Sequence, residues 1–129
     1  MTTVLVCGPR DFTDRGAVFA ILDALRPGPS RIVAGDARGV DALALAWAAD
    51  RGIERKTYRA DWAKWGRRAG PIRNEAMLRA EDPDLVIAIK YVGRETPGTA
   101  DMLRRARDGQ CPVHIWRVSP FGFWREGGV

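Results

Sequence analysis

Short apolar runs alternate with stretches whose apolar residues recur at helical spacing along almost the whole chain, and this alternation constrains the fold more than any other feature. Residues 3–7 (Thr-Val-Leu-Val-Cys) form a continuous apolar run, as expected of a strand buried on both faces. Gly8-Pro9 stops it. A helix is expected from about Asp14, with Val18, Ile21, Leu22 and Leu25 on one face and Pro27-Gly28-Pro29 at its end. Residues 31–34 read as a second strand, cut off by Gly35. Val40, Leu43, Ala44, Trp47 and Ala48 then give a second helix its apolar stripe, and Gly52 follows its last turn.

Residues 54–59 read as a weaker strand whose charges suit a sheet edge. A loop over 60–68 carries Trp62 and Trp65. Gly70-Pro71 opens a third helix running to about Ala80, with proline near its first position. Residues 84–89 form the strongest strand and belong at the centre. After a loop over 90–97, Gly98-Thr99 opens a fourth helix with Met102, Leu103 and Ala106 inward, ended by Gly109. Residues 113–116 make a last short strand. The tail, 117–129, is aromatic and glycine-rich and has no clear period; covering the core and forming a subunit contact are both open to it.

This pattern predicts an α/β chain: one Rossmann-like three-layer domain over residues 1–116, with a mostly parallel five-stranded sheet in the order 3-2-1-4-5. The switch point falls between the first and fourth strands, and ligands bind beyond the strand ends there. A length of 129 residues and a hydrophobic content of 46% fit one domain with a core that needs no staple. No apolar run approaches the roughly 20 residues of a membrane-spanning helix. The amino end shows no signal-peptide pattern, so a soluble, cytoplasmic protein is expected. Cys7 and Cys111 fall at opposite ends of a parallel sheet, beyond the about 7 Å Cα separation of a disulfide, so free thiols are expected. With His114 as the single histidine, no metal site and no cofactor are expected. A net charge of +5 favours anionic partners without choosing among them.

Chemistry is concentrated in the turns after the strands. These are Gly8-Pro9-Arg10-Asp11-Phe12, Gly35-Asp36-Ala37-Arg38-Gly39-Val40-Asp41 and Pro97-Gly98-Thr99, with Gly70-Pro71 facing the same way. Glycine lets a ligand approach the backbone, and helix N-termini offer unpaired N–H groups to an anion. The turns contain neither GxxxxGK[ST] nor GxGxxG, which argues against an ordinary NTPase and a standard dehydrogenase. Arg73 in a first helical turn opposes the helix dipole unless an anion binds there; the alternative is a pair with Glu75 or Asp101. Asn74 beside it offers a donor and an acceptor. Arg10 either completes a phosphate clamp or pairs with Asp11 or Asp14. Thr99 either gives its hydroxyl to phosphate or caps its helix. Asp41 and Asp101 both fall in first helical turns, where acids are ordinary; either is also a candidate to hold a ribose hydroxyl or act as a catalytic acid. Trp62 and Trp65 either stack on a base or pack on the core. His114 and Trp47 read as structural.

In order and spacing, several segments resemble the YspA-type (cpYpsA-related) domains of the SLOG superfamily, the SMF/DprA–LOG group. They are Gly8-Pro9-Arg10-Asp11-Phe12; Gly35-Asp36-Ala37-Arg38-Gly39-Val40-Asp41 with Ala44 and Trp47-Ala48; Trp62 with Gly66; Ala69-Gly70-Pro71-Ile72-Arg73-Asn74 with Met77; and Gly98-Thr99 with Met102 and Ala106. The resemblance implies a Rossmann-like fold and a nucleotide-derived ligand. It places Gly8, Arg10, Gly35, Gly39, Asp41, Arg73, Asn74, Gly98 and Thr99 around the pocket, and Pro9, Trp62 and Gly70 are further ligand-binding candidates in the same turns. The LOG enzymes of this group cleave an N-glycosidic bond of a nucleoside monophosphate, using an arginine that matches Arg73 and a glutamate three residues after a threonine. That second position is Met102 here; Asp101, one residue earlier, is turned about 100° away on a helix.

Three functions follow as expectations. The leading one is a module that binds or senses a nucleotide or nucleotide-derived small molecule. The second is a LOG-like N-glycosidase in which Arg73 holds phosphate and Asp101 or Asp41 assists departure of the base. The third is a DprA-like nucleic-acid binder using Lys64, Arg67, Arg68 and Arg73, which is less favoured. A homodimer is compatible with each, and a membrane partner is not expected.

Overall fold

The computed structural model describes residues 2–127 and contains one six-stranded sheet. In chain order its elements are β1 (Thr3–Cys7), α1 (Arg15–Asp23), β2 (Arg31–Gly35), α2 (Val40–Asp50), β3 (Glu54–Tyr58), α3 (Trp62–Trp65), α4 (Ala69–Glu81), β4 (Leu85–Tyr91), α5 (Pro97–Asp108), β5 (Val113–Ser119) and β6 (Gly122–Arg125). The strand order is β3-β2-β1-β4-β5-β6, parallel from β3 to β5. The Rossmann-like order 3-2-1-4-5 is thus present, with one strand added. β1 and β4 are central, and Val4 lies in register with Ile32 on one side and Leu85 on the other.

Side-chain alternation along each strand explains the unbroken apolar runs. Val4, Val6, Ile32, Ile87 and Ile89 face α1 and α2, where Val18, Ile21, Leu22, Ala44 and Trp47 meet them. Leu5, Val33, Val86 and Ala88 face the other way, onto Met77 of α4 and Met102, Leu103 and Ala106 of α5. Each fully buried aliphatic side chain contributes about 1.5–3 kcal/mol. Cys7 is buried and Cys111 half-buried, and both are free thiols. Among the described residues no helix is long and apolar enough to cross a membrane.

Three expectations are corrected. The sheet continues through residue 116 into the tail: β5 runs to Ser119, and β6 pairs with it antiparallel, Val118 opposite Phe123 and Trp116 opposite Arg125. Four residues are too few to display a period of two, which is why no strand was legible there. Second, 60–68 is not a plain loop; it holds α3 and a 3₁₀ turn over Gly66–Arg68 that leads directly into α4. That helix therefore begins at Ala69, ahead of Pro71. Proline is tolerated there because the first N–H groups of a helix lack an intrahelical acceptor in any case. Third, Arg73 is accordingly the fifth residue of α4 and Asp101 the fifth of α5, so neither lies in a first turn; Asp41, the second residue of α2, does.

Candidate functional site

The turns after β1 and β2 are packed against each other. The Val40 N–H donates to the Pro9 carbonyl at 3.2 Å. A Cβ on Gly8 would lie 2.7 Å from Val40 Cγ2, and one on Gly39, at φ +72°, would lie 2.6 Å from the Arg10 carbonyl oxygen. At both glycines the close approach of the neighbouring turn leaves no room for a side chain. The β1 turn is also tied to the segment before α5, since Asp11 accepts from Arg94 at 2.8 Å and from the Tyr91 hydroxyl at 3.0 Å. Those bonds hold the Asp11 carboxyl below its usual range. The Asp11 partner expected for Arg10 is therefore taken by Arg94. Arg10 itself is exposed and forms no side-chain hydrogen bond among the described residues.

At the carboxyl end of β2 three side chains meet over Gly35. A Cβ there would lie 2.6 Å from Arg73 Cζ and 2.8 Å from Asp41 Oδ2. Arg73 donates from Nη1 to Asp36 Oδ1 at 3.0 Å and to the Tyr58 carbonyl at 3.4 Å, and from Nε to Asn74 Oδ1 at 3.0 Å. Its carboxylate partner is thus Asp36, not Glu75 or Asp101. Asp41 is only 6% exposed and accepts the Ala37 N–H at 3.3 Å. Burial pushes its carboxyl up to about 7, against the opposing pull of Arg73. Burial and the Asp41 charge push the neighbouring Cys7 thiol up as well, away from the reactive thiolate form.

Asn74, 5% exposed, links this cluster to α5. Its Nδ2 donates to Asp101 Oδ2 at 3.0 Å and to the Gly98 carbonyl at 3.3 Å. Asp101, 8% exposed, also accepts from Arg104 at 2.7 Å and Arg105 at 2.9 Å. Burial raises its carboxyl, but the bonds from Asn74, Arg105 and Arg104 outweigh it, and the net direction is down. That is the wrong direction for a proton donor at neutral pH. Thr99 is 3% exposed, third in α5, and not its cap. Its hydroxyl forms no hydrogen bond among the described residues, and Trp116 Nε1 is the one buried side-chain polar atom there without a partner. A Cβ on Gly98 would meet nothing within 4 Å.

Trp62 is 58% exposed, with Cη2 3.5 Å from where a Gly70 Cβ would stand. Trp65 is also exposed, and Lys64 and Arg68 lie over its ring at 4.9 and 5.7 Å. Neither ring is a core residue, unlike Trp47, which is buried and donates to Asp23. His114 lies half-buried in β5, where burial and Arg125 lower its pKa.

The candidate residues from all three turns thus share the carboxyl edge of the sheet; Arg73 and Asn74 join the β2 turn to α5, and the Val40–Pro9 bond joins it to the β1 turn. Sequence reasoning missed Asp36 as a site residue. The available signal was its position, directly after the glycine that ends β2. A cleft of about 300 Å³ lies along α5 beside Lys90, Leu103 and Arg107. Another of about 530 Å³ lies at the opposite, amino edge, among Thr2, Ile21, Leu25, Asp84 and Trp116. Neither includes Asp36, Asp41, Arg73 or Asn74. No group of three His, Cys, Asp or Glu side chains suited to a metal occurs among the described residues.

The family model for the YspA, cpYpsA-related SLOG family matches residues 2–65. That span contains the turns after β1 and β2 and ends before α4. The chain is also similar to the gene 61 protein of Mycobacterium phage D29, at 36% identity over 121 residues. The similarity covers 88% of this chain and 94% of the phage protein, so it extends across Arg73, Asn74 and α5 as well.

Proposed function

The chain belongs to the YspA, cpYpsA-related SLOG family, and from that premise we propose that it binds a nucleotide-derived ligand across the carboxyl edge of its sheet. Family membership supports a nucleotide-related ligand-binding or processing role. The observation that carries the reading to this edge is the Asn74 bridge, which joins the Arg73 cluster at the end of β2 to the start of α5. One end of a ligand lying along that bridge meets a cluster of charge. The other meets a helix N-terminus with an unoccupied threonine hydroxyl and open space at Gly98.

Phosphate belongs at the α5 end. Pro97 has no N–H, but those of Gly98 and Thr99 precede the first intrahelical bond and carry the helix's positive dipole, Thr96 makes no side-chain cap, and Thr99 adds a hydroxyl. Arg10 stands on the adjoining turn as a further cation. The exposed face of Trp62 suits stacking of a base, worth about 1–3 kcal/mol in comparable contacts.

The test is mass spectrometry of small molecules released from the purified protein, in the natural chain and in Gly98→Asp. Position 98 is exposed with room for a side chain, and an acid near a helix N-terminus favours folding. A nucleotide carried by the natural chain and lost from the folded variant is the expected result. Equal retention contradicts phosphate at α5.

A second reading, cleavage of an N-glycosidic bond, is favoured by one observation. Asp41, and not Asp101, is the acid held near neutrality, so it is the group able to protonate a departing base. Release of free base from nucleoside monophosphates, abolished by Asp41→Asn, is its test; no release removes it.

A further inference from the structure

Arg73 is the obvious cation of the site, yet its charge is already answered. Asp36 Oδ1 lies 3.0 Å from Nη1, and Asp41 Oδ2 and Arg73 Cζ converge on the same point above Gly35. One guanidinium thus faces two carboxyl groups. A phosphate brought here would meet the Asp36 carboxylate already seated on the arginine, and like charges at this range repel most strongly where water is scarce. The centre is built for a neutral group that both donates and accepts.

The unused hydrogen-bonding capacity agrees. Asp36 takes both of its bonds, from Arg73 and from the Ala60 N–H, on Oδ1, leaving Oδ2 free. Asp41 takes its one bond on Oδ2, leaving Oδ1 free. Arg73 spends Nε and Nη1 and keeps Nη2. Two acceptors and a donor are what a pair of neighbouring hydroxyls requires, since each hydroxyl gives one proton and can accept in return. The position fits as well. In open parallel sheets that bind nucleotides, an acid on the nucleotide-binding half commonly takes the ribose hydroxyl, and Asp36 follows the last residue of β2 directly. From there hydrogen bonds run through Arg73 and Asn74 to the Gly98 carbonyl, the end where phosphate is proposed.

We propose that Asp36 and Asp41, positioned by Arg73, read the vicinal diol of the ligand's sugar, so that the site takes ribonucleotides in preference to 2′-deoxyribonucleotides. This rests on the nucleotide reading above and goes further in assigning the sugar. It also moves Arg73 from the phosphate to the sugar, where it positions the acids and offers Nη2.

The experiment titrates the full chain calorimetrically with the four ribonucleoside 5′-monophosphates and their four 2′-deoxy counterparts. A site built around a hydroxyl rejects the analogue that lacks it, so the best ribonucleotide is expected to bind at least about 10-fold more tightly than its deoxy form. Asp36→Ala is expected to bring the two within about 2-fold of each other, chiefly by weakening the ribonucleotide. Thermal unfolding of the variant confirms that it is folded. Equal binding of both sugars by the natural chain overturns the diol assignment and leaves nucleotide binding standing. A ribose preference unchanged in Asp36→Ala overturns the role of Asp36. Failure of every mononucleotide to bind removes the nucleotide reading, and this inference with it.

Discussion

The starts of α2 and α5 make an instructive pair. Each carries a nearly buried aspartate, Asp41 or Asp101, facing the same edge of the sheet. Asp101 is surrounded by donors from Asn74, Arg104 and Arg105, and its carboxyl is held down. Asp41 has a single backbone donor, Ala37, and burial dominates, so its carboxyl rises to about 7. The same residue type at similar solvent exposure is therefore a fixed strut where donors surround it and a titratable group where it lies deeper with a single donor. Burial sets the direction of a pKa only when compensating bonds are few.

The largest effect that tests this contrast is the pH dependence of stability. The folded chain keeps the Asp41 proton up to about pH 7, whereas an unfolded aspartate releases it near its ordinary value of 3.8. The contribution of Asp41 is therefore fully present below about pH 4 and is lost as pH rises through 7. At about 1.4 kcal/mol per unit, the difference between the natural chain and Asp41→Asn should change by about 4 kcal/mol over that window. Asp101 behaves in the opposite sense: its contribution is present above pH 4 and lost as pH falls through its lowered folded value. Denaturant titrations of both Asp→Asn variants at several pH values measure this, and a flat Asp41→Asn difference from pH 4 to 7 breaks the comparison.

Gly39→Ala comes next. The substitution puts a methyl against the Arg10 carbonyl at a positive φ, and neither backbone can yield cheaply. A loss of about 3 kcal/mol is expected in equilibrium unfolding. Asn74→Ala should cost about 1–2 kcal/mol and sharpen the contrast further. It should raise the Asp101 carboxyl toward its ordinary value while leaving that of Asp41 in place, because Asn74 bonds only the former. Carboxyl NMR titration separates the two. Gly98→Ala is the smallest. With nothing within 4 Å of the added methyl, stability should hold or rise by under about 1 kcal/mol.

The runs at residues 3–7 and 84–89 announced the two central strands because burial on both faces leaves no alternation to misread. The site turns were legible for a related reason: glycine marks places where side chains do not fit. Which atoms forbid a side chain was not legible. Gly8 and Gly39 are hemmed in by the neighbouring turn, and Gly35 lies beneath Arg73, 38 residues later. The same distance hid Asp36 as the partner of Arg73. The start of α4 was misplaced because Pro71 suits a first helical position, while the 3₁₀ turn before it leaves no mark in residue type. The β6 strand was missed because its pairing with β5, not its own four residues, defines it.

The two edges of the sheet supply the most direct test of ligand placement. In amide NMR spectra of the full chain titrated with the ribonucleotide it binds best, the account predicts shifts gathered at 35–41, 73–74 and 96–99. Signals of Thr2, Leu25, Asp84 and Trp116, at the amino-edge cleft, should stay in place. Shifts gathered at the amino edge, with the carboxyl-edge turns unmoved, would contradict it.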